Sequence, residues 1–278
     1  MICRSVAQLF LFPLIAVVLI HPLCAGEDSP PDPEKAGAYP VGVTTMLFVD
    51  HSRTDSATNG PRSLTTEIWY PATDDSKDLP KNRMSDFYLK NTKPEFGLLI
   101  QVAFGVDVTE ADKRFQNTAV RDARVRDGVF PLIVFSHGNS GLRMQNTFWC
   151  EHMASHGYVV MAPDHTGNSA VTFVDGNMIL YVDSEGARKQ AELDRPKDVS
   201  FLIDMMGRFN KGGDSRFMGK IDMEHIGVSG HSFGGFTSTW VADQDPRVKA
   251  IAPMAGAAGD RKNFACPAMV LVATEDKT

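Results

Sequence analysis

Basic charge is in short supply in this 278-residue chain: 28 lysines and arginines stand against 34 acidic side chains, a formal net charge of −6, and no basic stripe. A phosphate backbone would find too few cations to displace its counterions, so nucleic acid and other acidic polymers are excluded as partners. Cysteine is scarcer still. Of four, Cys3 and Cys24 fall in the N-terminal leader, leaving Cys150 on a predicted amphipathic helix and Cys266 before a predicted strand. These two read as core residues, although export would permit a disulfide. No Cys/His spacing matches a zinc site. His152 and His156 lie four apart on a helix, but no third ligand follows, so neither a metal nor another cofactor is expected.

A long unbroken apolar run is also missing. Leu9 to Leu23 is interrupted by Pro13 and Pro22 and gives way to the polar, Pro-rich stretch Glu27 to Glu34. That is too short and too broken for a membrane anchor. With Arg4 at its start and the small residues around Cys24-Ala25-Gly26 at its end, it reads as a cleavable signal peptide. A lipid-anchored cysteine at Cys24 is disfavoured by His21 and Pro22. The expectation is a signal over residues 1–25, a linker over 26–40 and one domain over 41–278. The product would be secreted or periplasmic, with no stable transmembrane span after cleavage.

What is present, with 43% apolar and 22% charged residues, is ordinary globular composition. Val41 to Val49 and Leu64 to Tyr70 read as early strands joined by a polar turn around Asn59-Gly60-Pro61. Pro131 to Phe135, Tyr158 to Ala162, Ile226 to Ser229, Val248 to Ala252 and Met269 to Ala273 are short apolar runs of the kind buried on both sheet faces. Helical patterns separate them. Arg143 to His156 ends at Gly157, Glu192 to Phe209 carries Pro196 in its first turn, and Phe233 to Asp243 follows Ser232 directly. This order argues an α/β fold, with a mostly parallel central sheet and helices on both faces. There are no internal repeats. The stretch from Asp74 to Asp127 is either a surface excursion or, through Phe96 to Ile100 and Phe104, part of an apolar wall over a site.

Ser232 lies in Gly230-His231-Ser232-Phe233-Gly234, between an apolar strand and a helix. A serine on that sharp turn projects its hydroxyl above the sheet, and small neighbours are required because the backbone is crowded there. Such a hydroxyl becomes a nucleophile when a base takes its proton and N–H donors hold the oxyanion. The first N–H of the following helix, from Phe233, has the positive end of the helix dipole behind it. The loop Ser136-His137-Gly138-Asn139 offers a second, the N–H of Asn139. His137 and His231 read as structural hydrogen-bonders rather than bases. The acid should follow a later strand, which points to Asp276, with Glu275 its neighbour and Asp260 the runner-up. No histidine follows Asp276 before Thr278, and His165 is a poor substitute. The expectation is therefore a domain incomplete at its C-terminal end, lacking its last strand, last helix and catalytic histidine, and nearly inactive as it stands.

Four blocks then occur in order: Trp69-Tyr-Pro-Ala72, Phe130-Pro-Leu-Ile-Val-Phe-Ser-His-Gly138, Arg195-Pro-Lys-Asp-Val-Ser-Phe-Leu-Ile-Asp204 and Gly230-His-Ser-Phe-Gly-Gly235, with Asp222-Met-Glu-His-Ile226 before the last. Together they resemble the platelet-activating factor acetylhydrolase family and the similar bacterial predicted dienelactone hydrolases, within the α/β-hydrolase superfamily. The resemblance implies a metal-independent serine esterase with a Ser-Asp-His triad, acting on short or oxidised acyl esters. It carries the nucleophile onto Ser232 and the oxyanion donors onto Phe233 and Asn139. The chain departs from the mammalian members, which place the acid after the sixth strand, where Met254-Ala255-Gly256 stands here. That moves the acid to Asp276 and favours a generic esterase over a phospholipid hydrolase. More distant similarity runs to cutinase-like polyester hydrolases and chlorophyllases. The expected function is cleavage of carboxylic esters, short-chain or phospholipid-type, through an acyl-enzyme. The alternatives are a dienelactone- or polyester-type hydrolase and an inactive hydrolase-fold binding protein.

Overall fold

The hairpin predicted at the start of the domain is the longest strand pairing among the described residues. β1 (Val41–Thr54) and β2 (Pro61–Pro71) run antiparallel, with Val41 opposite Pro71 and Asp50 opposite Arg62. Its turn is held by the Asp55 carboxylate, which accepts from the N–H groups of Ala57 and Thr58, and Asn59 takes a positive φ of 56°. The computed structural model describes residues 34–89, 101, 105, 107–256 and 265–273, within the unit Ala36–Thr278 apart from its first two residues. The expected signal, most of the linker, and Phe96 to Ile100 with Phe104 lie outside the described residues.

Within the 74–127 excursion, the described residues form α1 (Met84–Leu89), α2 (Val108–Arg114) and the short β3 (Val120–Arg121), which pairs parallel with β1. Then come β4 (Phe130–Ser136), α3 (Thr147–Ser155), β5 (Val159–Pro163), a β6–β7 hairpin (Val171–Val174 and Asn177–Leu180), α4 (Glu185–Arg208), β8 (Ile221–His231), α5 (Phe233–Gln244) and β9 (Val248–Met254). The seven-stranded sheet has the order β3-β1-β2-β5-β4-β8-β9. It is mixed: β2 runs antiparallel to β1 and β5, while β5, β4, β8 and β9 are mutually parallel.

Strand alternation divides the core between the two faces. Leu132 and Val134 of β4 and Val159 and Met161 of β5 pack with Val199, Leu202, Ile203 and Met206 of α4 and Val241 of α5. Ile133, Phe135, Val160 and Ala162 pack instead with Cys150 and Ala154 of α3 and Phe87 of α1. Helices on both faces follow directly from strands apolar at every position.

Three predicted elements differ. α3 begins at Thr147 rather than Arg143, because the Arg143 N–H is taken by the Asp164 carboxylate at 2.7 Å and its guanidinium by Asp164 and Glu67. α4 starts near residue 185 rather than 192, capped by Ser184, whose Oγ accepts from Ala187 N–H at 3.1 Å. Pro196 is therefore interior and frees a carbonyl at exposed Glu192, where water can take it. The run Met269 to Ala273 is predicted as a buried strand. Its described residues follow β9 in parallel fashion, Met269 N–H donating to Ile251 and Leu271 N–H to Pro253, yet Met269 is 64% and Val272 69% exposed. Apolar composition does not separate a buried strand from an edge on which no described element packs. Among the described residues, no helix is long and apolar enough to cross a membrane.

Candidate active site

Ser232 joins β8 to α5 with φ 51° and ψ −115°, a conformation costly for any residue with a side chain. Its N–H donates to Met254 O at 2.8 Å, tying the turn to β9. The crowding explains the glycines. A Cβ on Gly234 would sit 1.8 Å from Ser136 O, and one on Gly230 2.4 Å from the backbone of Gly234. A Cβ on Gly235 would fall 2.1 Å from Gly256 O, so this glycine lets α5 lie against the end of β9. Ser232 is half-buried, and its hydroxyl has no hydrogen-bond partner among the described residues.

The loop after β4 lies against this elbow. A Cβ on Gly138 would be 3.3 Å from His231 Nδ1 and 3.7 Å from its carbonyl oxygen. Gln145 fastens the two: its Oε1 accepts from Gly138 N–H at 3.0 Å, and its Nε2 donates to His231 Nδ1 at 2.9 Å. Gly138 N–H is thereby occupied. Among the described residues, the N–H groups of Asn139 and of Phe233, at the first position of α5, have no protein acceptor. Asn139 is exposed and Phe233 half-buried.

Beneath the loop lies a buried polar layer. His165 Nδ1–H donates to Asp198 Oδ2 at 2.9 Å, and His165 Nε2 accepts from Ser136 Oγ at 2.9 Å. Asp198 also takes a two-pronged ion pair from Arg62, at 3.0 and 2.6 Å. His137 Nε2 accepts from the His165 backbone N–H, which fixes its proton on Nδ1, where it donates to Gly138 O at 2.7 Å. Arg195 donates to His137 O at 2.6 Å, to Gly138 O at 3.0 Å and to Asn168 Oδ1, and its guanidinium carbon lies 4.6 Å from the centre of the Phe233 ring.

Burial, reinforced by the Arg195 charge, lowers both imidazoles: His165 falls to about 4 and His137 well below its usual value, so both are neutral. Burial pushes the Asp198 carboxyl up, but Arg62 and the His165 hydrogen bond outweigh it and hold the group far below the usual carboxylate range.

The expected absence of a triad histidine is not supported. Ser136, His165 and Asp198 form a Ser–His–Asp chain, but one that is entirely buried and built on Ser136 rather than Ser232. In sequence His165 stands after the strand that ends at Pro163, far from Asp198, and only the fold brings the two together. No hydrogen bond joins Ser232 Oγ to a histidine among the described residues. Asp276, Glu275 and Asp260 lie outside them. Arg195 and Asp198 went unassigned in sequence, although their spacing on the apolar face of a helix, alongside Val199 and Leu202, marks a buried pair of charges. Among the described residues no cluster of His, Cys, Asp and Glu could hold a metal ion, and Cys150 and Cys266 are free thiols.

Residues 26–182 match the family model "Platelet-activating factor acetylhydrolase, isoform II", and residues 125–278 match the model "PET hydrolase-like". The chain is 24% identical over 262 residues to a platelet-activating factor acetylhydrolase of Canis lupus familiaris and 26% identical over 259 residues to that of Bos taurus, in each case across 78% of this chain and 53% of the relative. It thus spans about half the length of these curated relatives. A solved structure of a ferulic acid esterase from Streptomyces cinnamoneus superposes with a TM-score of 0.66 at 28% identity, covering 84% of this chain and 64% of the other.

Proposed function

The chain belongs to the platelet-activating factor acetylhydrolase isoform II and PET hydrolase-like family of α/β-hydrolases, and from that premise we propose that it cleaves carboxylic esters through an acyl-enzyme on Ser232. The observation that carries the reading is the strained, half-buried Ser232 beside two N–H groups with no protein acceptor among the described residues. Ser232 Oγ attacks the ester carbonyl, and the N–H groups of Asn139 and Phe233 receive the developing oxyanion. The C–O bond breaks, the alcohol leaves with a proton, and water then releases the acid from the serine. Proton transfer needs a general base, and Asp276 is the acid proposed to orient it. His165 and His137 do not serve, because their ring nitrogens are engaged beneath the loop.

Two substrate classes follow from different observations. The acetylhydrolase relatives favour short-chain acyl esters, including phospholipid-type ones. The model matching the half that contains Ser232 is the PET hydrolase-like one, and the solved neighbour is a ferulic acid esterase, which favours esters of aromatic acids. A panel of p-nitrophenyl acetate, butyrate, octanoate and ferulate separates these. Labelling by a fluorophosphonate, mapped to Ser232 and lost in Ser232→Ala, is the expected result. No labelling would leave the inactive binding-protein reading. Export is part of the proposal, and N-terminal sequencing of protein recovered outside the cytoplasm should begin at Gly26.

A further inference from the structure

Arg195 is unusual among the charged groups of this molecule. It is wholly buried, no carboxylate is hydrogen-bonded to it, and its Nε has no partner among the described residues. Burial draws its pKa down to about 9, which still leaves it charged at neutral pH. The Asp198 carboxylate offsets part of the cost of burying this ion through its charge but makes no hydrogen bond to it, because Arg62 and His165 engage that carboxylate. If the role were only to fill space under the sheet edge, a neutral side chain would fill it at less cost. What the guanidinium touches is therefore informative. Its Nη1 holds His137 O, and its Nη2 holds Gly138 O and Asn168 Oδ1; Asn168 Nδ2 in turn donates to Asn139 Oδ1 at 2.9 Å.

Peptide geometry turns those contacts into a constraint. In a trans peptide the C=O and the next N–H point in opposite directions across a rigid plane. Gly138 C=O is drawn down onto Arg195 and His137 Nδ1–H, so the N–H of Asn139 is turned up, away from the protein interior. The same guanidinium lies over the ring of Phe233, its carbon 4.6 Å from the ring centre. One cation thus touches the carbonyl of the peptide that carries the Asn139 N–H and the side chain of the residue that carries the other donor.

We infer that Arg195 is the positioning residue of the oxyanion hole: its fork fixes the Gly138–Asn139 peptide with the N–H facing the reacting carbonyl, and its charge sits behind the site where the oxyanion develops. This rests on the serine-esterase reading above. Arg195 touches no substrate. Its contribution is made in the transition state, where an oxyanion exists, rather than in the bound ester.

The test compares the native chain with Arg195→Lys and Asn168→Asp, using fluorophosphonate labelling, p-nitrophenyl acetate kinetics and phenylboronic acid, which forms a tetrahedral adduct on serine. Lysine keeps the charge but, as a single ammonium, does not bridge three oxygens in the guanidinium's geometry. Asn168→Asp is isosteric, pairs with Arg195 and neutralises its charge without removing it, so it keeps the experiment decisive if the lysine variant fails to fold. For Arg195→Lys the expected result is a loss on the order of 100-fold in kcat and in labelling rate, the scale of one oxyanion donor. Boronate affinity should fall in parallel while KM stays within about threefold. Asn168→Asp should lose about tenfold in kcat with the same KM pattern. Labelling and kcat at native levels in folded variants would overturn this inference and leave the esterase reading intact, as would a rise in KM with kcat preserved. Failure of the native chain to label at Ser232 would remove the esterase reading, and this inference with it.

Discussion

Acidification from pH 7 to 4.5 should loosen this protein through two histidines that do not meet solvent. His165 is held neutral, with Nδ1–H on Asp198 and Nε2 receiving the Ser136 hydroxyl. Protonating Nε2 would aim a second proton at an oxygen already beside Arg195 Nη1 at 3.4 Å. His137 is equally enclosed, with Arg195 Nη2 3.2 Å from its Nδ1. Burial and Arg195 bring the folded pKa of His165 to about 4, against roughly 6.5 in the unfolded chain. Between those values the unfolded chain binds a proton that the native state refuses. Stability is therefore fully present above pH 6.5 and is lost as pH falls toward 4. Each full unit within that window is worth about 1.4 kcal/mol, and with the slope reduced at both ends His165 alone should remove about 2 kcal/mol between pH 6.5 and 4.5. His137 acts with the same sign. Glu151 and Asp164, whose carboxyls burial pushes up, act with the opposite sign and trim the total. Urea unfolding midpoints at pH 7, 6, 5 and 4.5 measure the effect. His165→Gln can donate to Asp198 and accept from Ser136 without titrating, so its midpoint should change with pH by about 1.4 kcal/mol per unit less than the native chain. Equal pH dependence in the two proteins would refute the reasoning.

Three further outcomes follow from the geometry. Ser232→Gly should raise stability by about 1 kcal/mol, since glycine adopts φ 51°, ψ −115° freely, while fluorophosphonate labelling disappears; a melting temperature at or below native contradicts the strain argument. In Gly234→Ala the new Cβ would meet Ser136 O at 1.8 Å, backbone against backbone, so a loss of about 3 kcal/mol or failure to fold is expected by thermal melting. Glu67 lies buried between Arg121 at 2.9 Å and Arg143 at 3.0 Å, and Glu67→Gln should cost about 3–5 kcal/mol in urea unfolding, because two guanidinium groups are left short of their counter-charge.

The sheet was legible in sequence because its inner strands are apolar at every position. Leu132 to Phe135 and Val159 to Ala162 leave no polar residue to face water, which forces helices onto both faces. The β6–β7 hairpin was missed, although its signal is present. Asp175-Gly176 separates two short runs, and both residues take positive φ, 49° and 75°, as a tight hairpin turn requires. The exposed edge at Met269 to Val272 was beyond reach, because burial there depends on which neighbours cover the strand and not on the strand's own composition.

The elbow and the layer beneath it differ in how sequence encodes them. The elbow is local: strand, Gly-x-Ser-x-Gly and helix are contiguous, so the conformation of Ser232 is implied by its neighbours. The buried layer gathers Arg62, Ser136, His137, His165, Arg195 and Asp198 from β2, two loops, the end of β4 and one face of α4. No spacing in the chain announces that meeting. It also reverses the usual inference from composition, since a serine, a histidine and an aspartate in hydrogen-bonded series here make no accessible nucleophile. Ser136 is fully buried while Ser232 is not. A backbone N–H sets the tautomer of His137, and an aspartate held ionised by Arg62 sets that of His165, so neither ring is free to exchange a proton with an ester. What the layer can do is hold geometry. Within it His137 and Arg195 both end on the Gly138 carbonyl, whose peptide carries the Asn139 N–H.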